Sequence, residues 1–252
     1  MNTMRRVCTF LGRAALFLAW GSGTPLLART VLPYQDPSVP LEQRVDDLLA
    51  RMTLEEKIAQ ITTVWNRKRE IFTATNDFDP AKAQRVFPAG IGHIARPSDL
   101  RGGGDDPLTH PFRDARQTVA LVNAIQHYAT KETRLGIPVL FHEEGLHGYA
   151  ARDATSFPQA IALASSWDPD LLTRIFTVVA REIRARGVQM VLAPVVDVAR
   201  DPRWGRIEET YGEDPYLVSQ LGIAAVRGFQ GDSLPLGAGR VFATLKHMTG
   251  HG

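Results

Sequence analysis

Short apolar runs alternate with amphipathic helical segments, and three of the runs are followed by a polar cluster. This predicts an α/β fold, an incomplete (β/α)8 TIM-type barrel with only its N-terminal part. Strand, helix, strand, helix implies parallel pairing with right-handed crossovers, hence a barrel or a doubly wound sheet. The clusters favour the barrel, because barrel active sites gather at the C-terminal ends of the strands. Four or five strands cannot close an eight-stranded barrel, so the chain reads as ending mid-fold. Its 252 residues, 44% hydrophobic and 22% charged, are enough to bury a real core.

The first segment stands apart. Arg5, Arg6 and Arg13 precede the apolar run Ala14 to Trp20, and small residues end it near Ala28, the pattern of a secretory signal peptide too short to span a bilayer. Three arginines and no acids lie in residues 1–28, so removing them takes the formal charge from +2 to −1. No basic stripe remains for nucleic acid and no polybasic membrane anchor is seen. The single cysteine, Cys8, precedes the apolar run, so the mature chain has no disulfide and no thiol nucleophile. The expected organisation is a signal peptide at 1–28, a helical arm at 29–86 and a partial barrel at 87–252, in a secreted or periplasmic protein.

In the arm, Leu41, Val45, Leu48, Leu49 and Met52 recur at helical spacing, and Thr53-Leu54-Glu55-Glu56 has the form of a capping box for a second helix. Gly90 to Ala95 reads as a strand. Asp114 to Glu132 reads as a helix with Val119, Val122 and Ile125 inward, and Ile137 to His142 as the next strand. Ser156 to Ala164 is a weaker strand candidate. Asp168 caps a helix that opens at Pro169 and stops at Gly187. Val188 to Val196 is apolar almost throughout, as suits a strand buried on both faces. Asp214-Pro215 starts a helix ending near Gly228, and Val241 to Leu245 gives another strand. Ser98 to Arg113, with Gly102-Gly103-Gly104, reads as a flexible surface loop.

Each polar cluster sits at a strand end. In His142-Glu143-Glu144-Gly145-Leu146-His147-Gly148 the histidines are five apart, whereas a helical zinc motif needs four, and the glycines oppose a helix. Glu143 and Glu144 alternate in direction on a strand, so one faces the site and the other pairs structurally. After the Val188 run, Arg200, Arg203 and Arg206 alternate with Asp201, Glu208, Glu209, Glu213 and Asp214. Most of these charges read as a self-bracing loop, with Asp214 a helix cap. Lys246 and His247 end the last strand as donors aimed at a ligand, a buried lysine–carboxylate pair being the plainer alternative. A carboxylate, a guanidinium, an ammonium and an imidazole with Trp204 nearby suit a sugar, whose hydroxyls take bidentate bonds and whose ring takes an aromatic face.

These residues resemble glycoside hydrolase family 3, the β-glucosidase and β-xylosidase family. The matching pieces are Leu48 to Gln60, Arg134 to Gly148, Phe157 to Ser165, Ala193 to Pro215 and Lys246 to Gly252, in the family's order. The resemblance implies a retaining exo-glycosidase that needs no cofactor, acts on a β-linked oligosaccharide or aryl glycoside, and follows its (β/α)8-type domain with an α/β sandwich. It maps sugar-hydroxyl binding onto Glu144, Arg206, Lys246 and His247, none of them the nucleophile. Family members carry the nucleophilic aspartate and the acid/base residue in later segments, which would fall beyond Gly252, so these 252 residues are expected not to hydrolyse glycosides. Glutamate rather than aspartate at 144 resembles the xylose-preferring members. The rivals are a sugar-binding or degenerate remnant and, behind it, a metal hydrolase.

Overall fold

The computed structural model describes residues 31–100, 112–248 and 250–251. The leader read in residues 1–28 and the glycines at 102–104 lie outside them. The chain divides into two compact units at Leu48/Leu49. In the first, Tyr34 N donates to Asp47 Oδ2 (3.2 Å) and Arg44 Nε donates to Tyr34 O (3.1 Å). Helix α1, Leu41–Arg51, begins there.

In the second unit α2, Leu54–Gln60, carries the capping box read from the sequence: Thr53 Oγ1 accepts from Glu56 N (3.2 Å), and Glu56 Oε2 accepts from Thr53 N (2.9 Å). Glu56 is also held by Arg134. Then comes an element the sequence reading missed. The span read as a helical arm through residue 86 contains strand β1, Thr63–Val64, before helix α3, Pro80–Val86. Two residues give too short a run to show alternation.

Strands β2 (His93–Ala95), β3 (Leu140–Glu143), β4 (Met190–Val191) and β5 (Phe242–Ala243) complete a parallel sheet in the order β1-β2-β3-β4-β5. A doubly wound sheet reverses its strand order at a switch point. Here the order never reverses, which is the barrel's progression. Helices α4 (Ala115–Lys131), α5 (Ala160–Ala164), α6 (Pro169–Ala185) and α7 (Pro215–Gln230) separate the later strands.

Register divides the sheet into two faces. Val64, Ile94 and Phe141 lie in one row and are buried, sharing a core with Val122 and Ile125 of α4, Phe176 and Ile183 of α6 and Leu221 of α7. The opposite face carries Thr63, His93 and Leu140 in one row and His142, Met190 and Phe242 in the next. Among these Leu140 and Phe242 are exposed.

Four expectations change. Ser156 to Ala164 yields helix α5 rather than a strand: its Ala-Ile-Ala-Leu-Ala segment is made mostly of good helix formers, with alanine the best of them. The run Val188 to Val196 keeps only Met190–Val191 as a strand; Pro194 has no N–H to give further along, and a single bridge follows between Val195 and Lys246. Gly228 does not stop α7, which runs on to Gly231 in the left-handed region. Any Cβ at 228 would approach Phe176 Cβ to 2.6 Å, so this glycine lets α6 and α7 pack closely. Finally, the ends of the supposed surface loop are buried at Ser98, Asp99 and Arg113. Among the described residues no helix is long and apolar enough to cross a membrane.

Candidate functional site

The ends of β3, β4 and β5 bring the sequence-predicted residues together. Lys246 Nζ lies 3.1 Å from Glu144 Oε2, joining two strand ends 102 positions apart in sequence. Both side chains keep an open side, 14% and 28% exposed. The Val195–Lys246 bridge, with Val196 N donating to Lys246 O (2.9 Å), sets that lysine in place. The Lys246–His247 peptide is cis.

Arg206 enters from the loop after β4. It grips Glu209 through two parallel bonds, Nε to Oε1 at 2.7 Å and a terminal nitrogen to Oε2 at 2.6 Å. That fork raises the guanidinium's pKa and lowers the carboxyl's. Arg206 also lies within the fields of Glu144 and Asp197, and Glu209 within those of Lys246 and His247. The four residues thus share one electrostatic neighbourhood. The self-bracing character of the loop is also present: Arg203 pairs with Asp201 at 2.6 Å, and Asp214 accepts from Tyr216 N (2.8 Å) at the start of α7.

Sequence reasoning missed Asp197. Its carboxylate accepts His247 Nδ1 at 2.7 Å, His247 N at 3.2 Å and His251 N at 2.9 Å. Burial raises its pKa, but the bonds from the His247 ring and the two backbone N–H groups outweigh that and hold it below the ordinary range. Trp204 stacks on His251 with ring centroids 5.8 Å apart, and His251 meets His247 edge-on at 4.2 Å. The signal available in the sequence was position: Asp197 closes the apolar run two residues past its bridge to the Lys246 strand.

Glu143 is the member of the adjacent acidic pair that bonds structurally, as the sequence suggested, and the buried group around it is one the sequence did not show. Glu143 accepts from Ser98 N (2.9 Å) and Tyr149 Oη (3.1 Å), and burial pushes its carboxyl up to about 7. Fully buried Lys68 donates to Arg96 O at 2.7 Å and lies 3.7 Å from Asp99 Oδ2. Burial lowers its ammonium to about 8. His147 turns away to Phe157 O at 3.1 Å, and His142 bonds His93 at 2.7 Å. Among the described residues no three His, Cys, Asp or Glu side chains are grouped to hold a metal.

Residues 53–252 match the family model described as the glycosyl hydrolase family 3 N terminal domain. The chain belongs to glycosyl hydrolase family 3. β-Glucosidase C of Emericella nidulans is 33% identical over 252 residues, covering 96% of this chain and 38% of that protein. A β-xylosidase of Formosa agariphila is 45% identical over 130 residues, 49% of this chain and 18% of that one. A mutant β-glucosidase from Listeria innocua, solved in complex with laminaribiose, superposes with a TM-score of 0.63 at 30% identity, covering 82% of this family 3 chain and 26% of its own. The chain spans about a third of the length of the relatives it matches along most of its own.

Proposed function

We propose that Glu144, Arg206, Lys246 and His247 grip the terminal sugar of a β-linked glycoside, as part of a retaining, exo-acting β-glycosidase of the glucosidase/xylosidase type. The contact that carries this is Lys246–Glu144 at 3.1 Å, beside the Arg206–Glu209 fork. Each cation has a carboxylate partner, so the rim offers donors and acceptors in balance. A neutral polyol suits that balance better than an anion does, and charge-assisted bonds of this kind are worth about 1.5 to 3 kcal/mol each. The laminaribiose bound by the Listeria relative is a β-linked glucose disaccharide, and it sets the substrate class we assign.

Double displacement needs a nucleophilic carboxylate and an acid/base carboxyl about 5 Å apart. At this rim Asp197 is buried beneath the histidine loop, and Glu144 and Glu209 are assigned to holding the cations that grip hydroxyls, so no carboxylate pair is assigned to the chemistry. We therefore assign sugar binding, without turnover, to these 252 residues alone. Export belongs to the same proposal, on the strength of residues 1–28.

The test pairs two measurements on the purified chain. Calorimetric titration with laminaribiose and methyl β-xyloside is expected to show saturable binding that Lys246→Ala abolishes, and an aryl β-glycoside is expected to release no aglycone. Absence of binding sinks the sugar-site reading; measurable hydrolysis sinks the division between binding and chemistry.

A further inference from the structure

The three bonds to Asp197 fix more than a loop. An ionised carboxylate only accepts, so the ring nitrogen facing it must carry the hydrogen. That nitrogen is His247 Nδ1, 2.7 Å from Asp197 Oδ2. The same carboxylate receives the His247 and His251 backbone N–H groups, so neither rotation of the carboxylate nor withdrawal of the loop frees Nδ1 without breaking further bonds. Asp197 is 2% exposed at its side chain and His247 23%, so the anchoring end is dry and the far edge of the ring is open. The depressed Asp197 pKa keeps the carboxylate ionised at neutral pH.

We propose that Asp197 is a positioning residue that holds His247 as the Nδ1–H tautomer and so makes its Nε2 a hydrogen-bond acceptor at the open rim. The consequence is a polarity for the ligand. Lys246 and Arg206 can only donate, whereas a neutral Nε2 requires a hydroxyl that donates to it. A sugar seated here therefore presents at least one hydroxyl proton toward His247 and lone pairs toward Lys246. This inference rests on the sugar-site reading for its ligand, but the tautomer stands on the protein's own geometry.

The tautomer is read directly from two-bond proton–nitrogen correlations of the 15N-labelled chain, recorded above the imidazole pKa, with the His247 signals assigned by their loss in His247→Gln. The wild type is expected to show a protonated Nδ1 and a bare Nε2. An Nε2–H ring, or an even mixture, overturns the proposal without any variant having to fold. Asp197→Asn puts an amide donor into the carboxylate's place and is expected to release the ring toward the Nε2–H form and weaken methyl β-glucoside binding about tenfold, one hydrogen bond's worth. An Asp197→Asn ring still fixed as Nδ1–H overturns the assignment to Asp197. A wild-type Nδ1–H ring whose Nε2 signal no glycoside perturbs refutes the sugar reading and leaves the tautomer assignment standing. A glycoside that binds a chain with a mixed tautomer does the reverse.

Discussion

Glu143 and Glu144, neighbours in the chain, meet different partners where β3 ends. Glu143 is fully buried beneath Ser98 and Tyr149, while Glu144 reaches Lys246 on the open side at 3.1 Å. The strand ends between them, and the two carboxylates separate into a structural one and one at the rim. Replacing Glu143 with Ala leaves the Ser98 N–H and the Tyr149 hydroxyl without their acceptor in a dry layer. The expected loss is about 1 to 3 kcal/mol of unfolding free energy in urea, the range for leaving buried donors unsatisfied. A loss below about 0.5 kcal/mol, the size of an ordinary surface exchange, rules the network out as a support.

Shortening its neighbour tests selectivity instead. Glu144→Asp withdraws the carboxylate by one methylene, leaving room for a hydroxymethyl group. The ratio of methyl β-glucoside to methyl β-xyloside affinity is expected to rise in the variant. An unchanged ratio removes Glu144 from the selectivity of this rim.

Arg206→Lys keeps the charge but loses the two-pronged hold on Glu209, whose bonds are 2.7 and 2.6 Å. A lysine cannot reproduce that fork. Binding of laminaribiose is expected to fall at least tenfold, with the melting temperature within about 2 °C of wild type because the pair is partly exposed. Equal affinity in calorimetry contradicts a binding role for the guanidinium.

Acid stability should turn on His142. Burial first, then the fields of His93, Arg96, Lys246 and Lys68, lowers its imidazole from 6.5 to about 3. The unfolded chain therefore takes up a proton in that interval that the folded chain refuses, and stability falls as pH drops from 6.5 toward 3, by up to about 1.4 kcal/mol per pH unit. Glu143, raised from 4.5 to about 7, has the opposite sign: its folded form keeps a proton that the unfolded chain releases, so its contribution falls as pH rises through that window. The two offset each other between 4.5 and 6.5, and His142 acts without that offset between 4.5 and about 3. Urea titrations at several pH values should show a shallower acid slope below pH 4.5 in His142→Gln. Parallel slopes contradict the assignment.

Gly92 precedes β2, and a Cβ there would land on the backbone of Ala59 and Gln60 at the end of α2. Backbone cannot swing aside as a side chain can. Gly92→Ala is expected to cost about 1 to 3 kcal/mol, the usual penalty for overpacking, read from the urea midpoint. Gly205→Ala is the control, because nothing lies within 4 Å of its added Cβ.

Much of this protein is determined by local chemistry that the sequence displays. Asp114, Asp168 and Asp214 each accept a backbone N–H at the start of the helix read there, and Thr53 with Glu56 closes its capping box, because a cap needs only residues three apart. Inward apolar positions likewise marked α4, Asp-Pro starts marked α6 and α7, and the site residues stood out because charges after an apolar run are costly unless a site or a partner uses them. Tertiary structure alone decided what depends on distant partners. Two-residue strands such as β1 carry no period of their own and exist through their ladder neighbours. Gly228 reads as a stop until Phe176 is seen against it. Asp197 looks like one more loop acid, yet its three hydrogen bonds all come from residues 50 or more positions away, and Lys246 meets Glu144 across 102. Sequence periodicity records which face of an element is buried; only the folded sheet, by placing successive strand ends side by side, determines which of those polar ends meet.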